Sequence, residues 1–561
     1  MLLRLVPVVA VGILVGPVIA GLAGIVFPAF GYLPALGANG FSLDPWRAVF
    51  ATPGIGTSIL LSLATGLITT AVSLGAVLLF VAGWQGTRLF RVLTHLLSPL
   101  LSLPHAAAAF GLAFLIAPSG WIVRALSPWA TGFTAPPDWL ILNDPLGLSM
   151  MAGLVIKEIP FLFLVTLAAL PQTDARRLTQ VTTSFGYGRI AGWTIAVLPR
   201  LYRQIRLPIL AVIAYASSVI DVALILGPTL PPPLSVQLVR WMNDPELTMR
   251  LTASAGALLQ LGVTLAALAL WRFGEIGVVR LARARLIDGY RRPHDGLLRG
   301  LGASGMAIVV GSVALGLAGL ALWSVASFWR FPDALPVSIS FRIWASEAPM
   351  LADVIGPTVL IGLAATGVAL ALVLGALENE NRQRITTGSR SLLLLYIPLI
   401  VPQIAFLFGL KILFLWIGLD ATLGAVVFVH LIFVMPYVFL SLADPWRAFD
   451  RRYGVAAAGL GAGENRVFWR IRLPMLAAAV ATAAAVGFAV SIGQYLPTLI
   501  VGAGRWPTVT TEAVALAAGG DRRVIGVYAL IQVVLPFVAF ALATIGPALA
   551  FRNRRGLRIG A

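Results

Sequence analysis

Long apolar stretches follow one another along nearly the whole chain. A helix needs roughly 20 consecutive apolar residues to cross the hydrocarbon core of a bilayer. Stretches of about this length lie at about 5–27, 56–82, 95–117, 146–170, 208–227, 252–271, 301–326, 356–377, 391–417, 423–443, 474–501 and 524–550. The pattern predicts an all-α polytopic membrane protein with about twelve transmembrane helices.

The composition agrees with a chain whose solvent is lipid. Hydrophobic residues make up 59% and charged residues 11%, whereas soluble domains carry roughly 25% charged residues. Cysteine is absent, which excludes disulfides, thiolate metal sites and cysteine nucleophiles. The four histidines are scattered, which argues against a histidine metal cluster.

The distribution of charge predicts the sidedness of the chain. When the loops are alternated from a cytoplasmic N-terminus, the inside segments hold most of the arginines, while acidic residues divide about evenly. This bias of positive charge towards the inside places both termini in the cytoplasm. It also explains the net charge of +18 without a nucleic-acid partner. Arg4 before the first apolar stretch is compatible with a signal peptide, but no clear cleavage site follows, and we interpret this stretch as a retained helix.

Similar motifs recur in the same order in both parts of the chain. Ser98–Leu112 resembles Pro398–Leu410, with Pro104 matching Pro402 and Gly111 matching Gly409. Further pairs are Pro160-Phe161 with Pro436-Tyr437, Ile205–Leu210 with Ile471–Leu476, Gly227 with Gly493, and Leu230-Pro231 with Leu496-Pro497. The order indicates a duplicated membrane unit of six helices, and transporters commonly place their pathway between two such halves.

The longest inside loops within each half follow the fourth and tenth spans. The later loop contains a small-residue segment, Val455–Gly461, then a basic segment that ends at Leu473-Pro474. Small residues let a partner pack closely, glycine permits a sharp reversal, and proline is favoured in the first turn of a helix. The spacing predicts a helix, a turn and a second helix that leads into the eleventh span.

This loop resembles the signature of the membrane subunits of type I ABC importers, which is Glu-Ala-Ala, three residues, Gly, nine residues, Ile, one residue and Leu-Pro. In the second half, Val455 replaces the glutamate, and the matching residues are Ala456, Ala457, Gly461, Ile471, Leu473 and Pro474. In the first half the spacing is kept by Gly186, Leu198 and Pro199, and Glu-Ala-Ala is replaced by Gln180, Val181 and Thr182. The repeat comparison instead pairs Pro208 with Pro474, so either proline is a candidate for opening the fifth span.

The resemblance covers most of the chain as two permease units in one polypeptide, similar to the thiamine, ferric-iron and YnjC-type permeases. Ser217–Thr229 looks most like the YnjC type. The family resemblance implies a permease in a bacterial inner membrane that carries a small polar solute, such as a thiamine-like compound or ferric iron. The implied partners are two cytoplasmic ABC ATPase subunits, which use ATP and Mg and dock on the loops, and a periplasmic solute-binding protein. The chain itself is expected to bind no cofactor or metal.

The predicted organisation follows from the repeat and the loops. The segments are a first helix with its periplasmic loop at 1–54, permease unit 1 at 55–271 with a first coupling loop at 171–207, a cytoplasmic linker at 272–300, a seventh helix with its periplasmic loop at 301–355, permease unit 2 at 356–551 with a second coupling loop at 444–473, and a cytoplasmic tail at 552–561.

No motif for catalysis or nucleotide binding was found in the sequence. A phosphate loop requires GxxxxGK[ST], but the two lysines, Lys157 and Lys411, follow Ile156 and Leu410. ATP hydrolysis is therefore assigned to a separate subunit. The main alternative is a secondary transporter of the major facilitator type, but residues 83–94, where that class carries an acid-containing loop, contain no acidic residue. A channel and an enzyme acting on lipid are further, unsupported alternatives.

Several polar residues interrupt the apolar spans. Ionisable groups inside a membrane are costly and often functional. The candidates for the translocation path are Glu158, Asp221, Gln494 and Lys157. The alternative is structural, with Lys157 or Glu158 paired to Asp221 or to a neighbouring helix, and we interpret Lys411 and His430 as structural residues.

Overall fold

The computed structural model describes residues 2–287, 291, 294–385 and 389–551. Within these ranges the protein is built from α-helices and contains no β-strand. This confirms the all-α membrane fold. The predicted tail 552–561 lies outside the described residues, as does part of the linker 272–300. The rest of that linker is largely helical, since the flanking helices extend into it from both sides.

The first half contains thirteen helices. They are α1 Leu2–Ala29, α2 Asp44–Ala51, α3 Ile55–Trp84, α4 Arg88–Leu97, α5 His105–Ile116, α6 Trp121–Leu126, α7 Leu148–Ala169, α8 Ala175–Ser184, α9 Arg189–Ala196, α10 Leu198–Ser217, α11 Asp221–Leu226, α12 Leu234–Met242 and α13 Met249–Ile287.

The second half repeats this plan. Its helices are α14 Gly296–Val325, α15 Arg342–Gln383, α16 Ser389–Ile400, α17 Gln403–Trp416, α18 Leu423–Arg447, α19 Arg452–Gly459, α20 Glu464–Val467, α21 Leu473–Met475, α22 Ala477–Ile492, α23 Leu496–Gly502, α24 Val509–Leu516 and α25 Arg522–Ala550.

Four of the predicted spans are broken rather than continuous. In the described ranges, nine helices are long and apolar enough to cross a membrane, and two further pairs reach that length across bends of 89° and 74°. The predicted span at 95–117 is interrupted by a short 3₁₀ turn and by Pro104, which lacks the N–H that a helix needs. The span at 391–417 bends at Pro402. The span at 474–501 bends after Met475 and breaks again after Ile492.

The predicted fifth span at 208–227 is also not one continuous helix. Its helix α10 already begins at Leu198, carries three arginines in its first half, and ends at Ser217. A second short helix, α11, begins at Asp221. Asp221 therefore does not lie midway along a continuous span but starts a helix directly after a break.

The first helix of each half packs against the opposite half. Helix α1 lies on α15, α16 and α17, whereas α14 lies on α3 and α5. In the first contact, a Cβ on Gly24 would come within 2.9 Å of the carbonyl oxygen of Gly409. In the second, a Cβ on Gly316 would come within 2.9 Å of the carbonyl carbon of Gly111. Glycine is required at these positions because the two backbones touch. Gly111 and Gly409, which the sequence repeat pairs with each other, thus make equivalent contacts in the two halves.

The structure determines the register of the later part of the repeat. Gly461 follows Gly186 by 275 residues, and both have a positive φ in a turn between two short helices. The same separation of 275 relates Pro474 to Pro199, the start of α23 to that of α11, and the start of α24 to that of α12. Pro199, in the first turn of α10, is therefore the proline that opens the fifth span. Pro208 lies inside α10. The sequence pairings of Pro208 with Pro474, of Gly227 with Gly493 and of Leu230-Pro231 with Leu496-Pro497 are therefore wrong by nine residues.

We expect Gly409→Ala and Gly316→Ala to destabilise the protein. Each added methyl group would be forced against a backbone, and overpacking of this kind costs about 1–3 kcal/mol. Thermal unfolding of the purified protein in lipid nanodiscs measures the effect. Gly367→Ala is the matched control, because its Cβ would meet nothing within 4 Å. Equal melting temperatures for all three variants and the parent chain would contradict the assigned role of these contacts.

Candidate coupling loops and intramembrane polar cluster

The first coupling loop forms two short helices at the C-terminal end of α7. A 3₁₀ turn over Leu170–Thr173 leads into α8, and Gly186, with φ +80°, reverses the chain into α9. Helix α10 then begins at Leu198 with Pro199 in its first turn. Gln180, Val181 and Thr182 lie on α8, so the predicted helix–turn–helix forms even without Glu-Ala-Ala.

The second coupling loop has the same arrangement. Val455, Ala456 and Ala457 lie on α19, and Gly461, with φ +79°, starts the turn into α20. A π-helical turn over Phe468–Arg472 contains Ile471 and continues into α21, which holds Leu473 and Pro474. The two loops thus match in secondary structure and in the conformation of their central glycine.

Both loops expose large apolar side chains. Phe185 is 61% exposed beside Gly186, and Leu460 is 89% exposed beside Gly461. Val181 and Val455 are also exposed, one turn earlier on α8 and α19. Phe185 and Leu460 correspond under the separation of 275 residues, and Val181 and Val455 are offset from this correspondence by one position. Exposed apolar side chains at equivalent places of two loops are typical of a docking surface for a partner protein.

A buried ion pair fixes the second coupling loop to the membrane helices. Arg472 forms a salt bridge with Glu378 near the end of α15, and both side chains are buried. The guanidinium group of Arg472 also lies over the rings of Trp446 and Phe449, at 5.7 and 5.2 Å. Arg382 binds the other carboxylate oxygen of Glu378 at 2.7 Å. The loop is thereby joined to both α15 and the end of α18.

The first coupling loop is fixed by different contacts. Arg189 donates hydrogen bonds to the carbonyl oxygens of Ala82 and Gln85 at the end of α3. The amide of Ile190 donates to the Asp295 carboxylate over 2.7 Å, which ties α9 to the start of the second half. Burial lowers the pKa of Arg189, and the neighbouring positive charge of Arg299 lowers it further.

Two of the candidate path residues are linked through side chains that the sequence did not indicate. His105 Nε2 lies 3.3 Å from Glu158 Oε1. The imidazole ring of His105 packs against the Tyr215 ring with 4.7 Å between centroids. Tyr215 in turn donates its hydroxyl to Asp221 Oδ1 over 3.5 Å. The four side chains form a continuous polar cluster within the first half, which we call the intramembrane cluster.

The second half contributes tyrosines to the same place. The phenol of Tyr437 on α18 lies within electrostatic range of Glu158, and that of Tyr495, in the break before α23, within range of Asp221. Helix α10, which carries Tyr215, contacts α16 of the second half, which carries a further tyrosine, Tyr396. The intramembrane cluster therefore lies between the two halves.

The remaining candidates have separate environments. Lys157 is buried and donates to the carbonyl oxygens of Leu100 and Leu101, at 3.2 and 2.9 Å. It does not pair with Asp221, and neither does Glu158, so that part of the structural alternative is wrong. Gln494 is buried in the break between α22 and α23, close in sequence to Tyr495.

His430 and Lys411 lie outside the cluster. The two ring nitrogens of His430 each lie 2.8 Å from a hydroxyl, those of Ser491 and Thr498. This satisfied arrangement fits the structural interpretation. Lys411 is within electrostatic range of Asp420.

Sequence comparisons agree with the arrangement of the loops. Residues 350–552 match the model of the family described as binding-protein-dependent transport system inner membrane component. The chain is 32% identical over 526 residues to the inner membrane ABC transporter permease protein YnjC of Escherichia coli (strain K12), with 92% of this chain and 93% of that protein aligned.

Shorter matches cover about a quarter of this chain and about half of each relative. The molybdenum transport system permease protein ModB of Mycobacterium tuberculosis (strain H37Rv) is 33% identical over 147 residues, which is 24% of this chain and 53% of ModB. The spermidine/putrescine transport system permease protein PotC of Escherichia coli (strain K12) is 25% identical over 145 residues, which is 26% of this chain and 55% of PotC. With the duplicated loops and the match along almost its whole length, the chain belongs to the multi-pass inner-membrane permeases of ABC transport systems.

Proposed function

We propose that this chain forms the complete translocation pathway of an ATP-driven importer and couples it to two copies of a separate cytoplasmic ABC ATPase. The observation that carries the proposal is the pair of equivalent helix–turn–helix loops, each with an exposed apolar tip and each fixed to membrane helices. One fused chain supplies both docking loops, so one copy of the permease per complex is expected. ATP and Mg are used by the ATPase partner.

The contacts of the second loop supply a route from docking to the pathway. A displacement of α20 and α21 acts on Arg472, and its buried bond to Glu378 transmits that displacement to α15. Helix α15 packs against α18 and α22, which carry or adjoin the second-half side of the intramembrane cluster. Closing of the two ATPases beneath the loops would therefore move the helices that enclose the cluster.

The distribution of charge supports the orientation. Both coupling loops and both termini are placed in the cytoplasm, because arginine is concentrated on that side. The opposite face then receives solute from a periplasmic solute-binding protein. Glu158, Asp221, Gln494 and Lys157 remain the proposed residues of the path.

The names of the relatives indicate different solutes. ModB is a molybdenum permease and PotC a spermidine/putrescine permease. Family membership therefore indicates only a small polar solute, for which a thiamine-like compound and ferric iron are the initial candidates. The intramembrane cluster provides a separate criterion for choosing among them.

We expect Phe185→Asp combined with Leu460→Asp to abolish capture of the ATPase. Both side chains are largely exposed, so the fold should be unaffected, whereas a charge in the apolar contact must be desolvated on docking. The measurement is co-purification of the partner ABC ATPase with the tagged chain from its native host. Leu335→Asp, also at an exposed position but in the loop between α14 and α15, is the control. Retention of the ATPase by the double variant would contradict docking at these loops.

We expect Glu378→Gln to uncouple ATP hydrolysis from transport. It leaves Arg472 buried beside a neutral amide, and breaking a buried pair costs about 3–5 kcal/mol. Reconstituted complexes should keep ATPase activity but lose solute uptake, and the permease should melt at a lower temperature.

The control for this variant is Asp450→Asn, which weakens the exposed pair that Asp450 forms with Arg452 in the same loop. Exposed pairs contribute only about 0–1 kcal/mol, so uptake and stability should change little. If Glu378→Gln behaves like Asp450→Asn in both measurements, the buried pair has no coupling role.

A further inference from the structure

The intramembrane cluster contains more negative than positive charge. Glu158 is 4% exposed and Asp221 8% exposed, and among the described residues neither forms a salt bridge with a lysine or arginine. Lys157, the nearest in sequence, donates its hydrogen bonds to backbone carbonyl oxygens, and its charge interacts with Glu158 without forming a salt bridge. His105 can neutralise one carboxylate when protonated, and the second then has only the Tyr215 hydroxyl and neighbouring backbone amides. A buried charge is strongly unfavourable unless it is paired.

The fold itself does not require these charges. The second half has Gln403 at the first position of α17, where the first half has His105 at the start of α5. When Pro160 is aligned with Pro436, Glu158 corresponds to the buried Val434. The separation of 275 residues pairs Asp221 with Leu496, which also begins its helix. The same framework is thus built with uncharged residues at all three positions.

Tyrosines of the second half lie within electrostatic range of the cluster. Tyr437 on α18 interacts with Glu158, and Tyr495 in the break before α23 interacts with Asp221. Tyr396 on α16 is 7% exposed and interacts electrostatically with Tyr437. The second half thus adds phenol groups to the surroundings of the two carboxylates.

We propose that the intramembrane cluster is a binding site for an organic cation, held between the carboxylates of Glu158 and Asp221 and against the rings of Tyr437 and Tyr495. The inference rests on the proposed importer function and names the substrate class of its path. Carboxylates supply charge, and tyrosine faces attract cations through the ring quadrupole. A cation with one or two positive charges would balance the cluster with protonated or neutral His105.

The donor set favours an organic cation over a metal ion. In the described part of the chain, no three His, Asp or Glu side chains lie close enough together to hold a metal ion. Hard cations such as ferric iron prefer several oxygen or nitrogen ligands around one centre. Two separated carboxylates and several aromatic rings instead suit an ammonium or an aromatic cation. Of the two initial candidates, the thiamine-like compound fits and ferric iron does not.

Both carboxylates are almost fully buried in this structure, whereas the His105 side chain beside Glu158 is 29% exposed. The two walls of the site belong to different halves. Helices α5, α7 and α11 form one wall, and α18 and the α22–α23 break form the other. Movement of the halves apart at this level would therefore widen access to the carboxylates. This is the movement that the proposed coupling loops would drive.

Equilibrium binding tests the site in the complete complex in lipid nanodiscs, with and without ATP and vanadate. The probes are radiolabelled thiamine, spermidine and tetraethylammonium, with molybdate as the anion. We expect at least one cation to bind to the parent complex. Glu158→Val and Asp221→Leu install the residues of the second half, and each should weaken cation binding about tenfold or more. A tenfold weakening corresponds to about 1.4 kcal/mol of binding free energy. Glu158→Gln and Asp221→Asn should do the same.

Thermal stability separates binding from structure. If the charges serve binding, the apolar variants should melt at the same or a higher temperature than the parent chain, because they replace buried carboxylates that form no salt bridge with a lysine or arginine by the apolar residues of the second half. Asp353→Asn, at an exposed position on α15, should leave cation binding unchanged. Absence of cation binding to the parent complex, binding that survives all four substitutions, or molybdate binding in place of the cations would each overturn the proposal.

The binding and co-purification experiments together distinguish a wrong substrate class from a wrong importer function. If the ATPase co-purifies and the Phe185 and Leu460 variant releases it, while no cation binds, only the substrate class is wrong. If the ATPase never associates with the chain, the importer function itself fails.

Discussion

The halves of this protein are held together by backbone contacts between glycines. Gly24 of α1 lies against Gly409 of α17, and Gly111 of α5 lies against Gly316 of α14. Without water between membrane helices, close approach of small residues supplies much of the packing energy. Each first helix packs against the opposite half, and these contacts keep the two halves together. The surfaces that face each other at the centre of the protein are formed by other residues. Those surfaces carry the intramembrane cluster.

Charge is buried at two levels of the molecule for different reasons. At the second coupling loop, Arg472 and Glu378 neutralise each other, and the aromatic rings of Trp446 and Phe449 lie against the guanidinium group. This buried pair joins the loop to α15, and breaking it is costly. Glu158 and Asp221, in the intramembrane cluster, form no salt bridge with a lysine or arginine of the described residues. This contrast distinguishes the proposed coupling joint from the proposed solute site.

The sequence was sufficient for the parts of the structure that depend on hydrophobicity and on short-range spacing. Apolar length predicted the membrane helices, and Gly461 with Pro474 predicted the second coupling loop. The breaks after Ser217 and Ile492 were missed, although Ser218 and Asp221 mark the first break and Gly493, Gln494 and Pro497 mark the second. These residues stand among apolar ones, and apolar length alone made each stretch look like one continuous span. The repeat was placed nine residues out of register near Pro208, because Ile-Arg-Leu-Pro occurs there by sequence likeness alone while the turn glycines keep the true separation.

The intramembrane cluster could be predicted only in part. Glu158 and Asp221 were identifiable as costly residues in apolar spans, but their partners come from distant positions. His105 follows a proline break, and Tyr437 belongs to the other half, so only the fold brings them together. The network around Glu378 was not indicated either, since a carboxylate at the end of a long helix resembles an ordinary solvent-exposed one.

The most direct test of this account is the accessibility of the cluster during the ATPase cycle. The chain contains no cysteine, so Tyr437→Cys provides a single permease thiol at the wall of the site. Leu335→Cys provides an exposed thiol in the loop between α14 and α15, away from the coupling loops. Labelling by a membrane-impermeant maleimide is measured in the reconstituted complex without nucleotide and with ATP and vanadate. We expect the thiol at position 437 to be protected without nucleotide and to react when ATP is bound, while the thiol at position 335 does not become more reactive. An equal labelling rate at position 437 in both states would contradict a pathway that opens between the two halves.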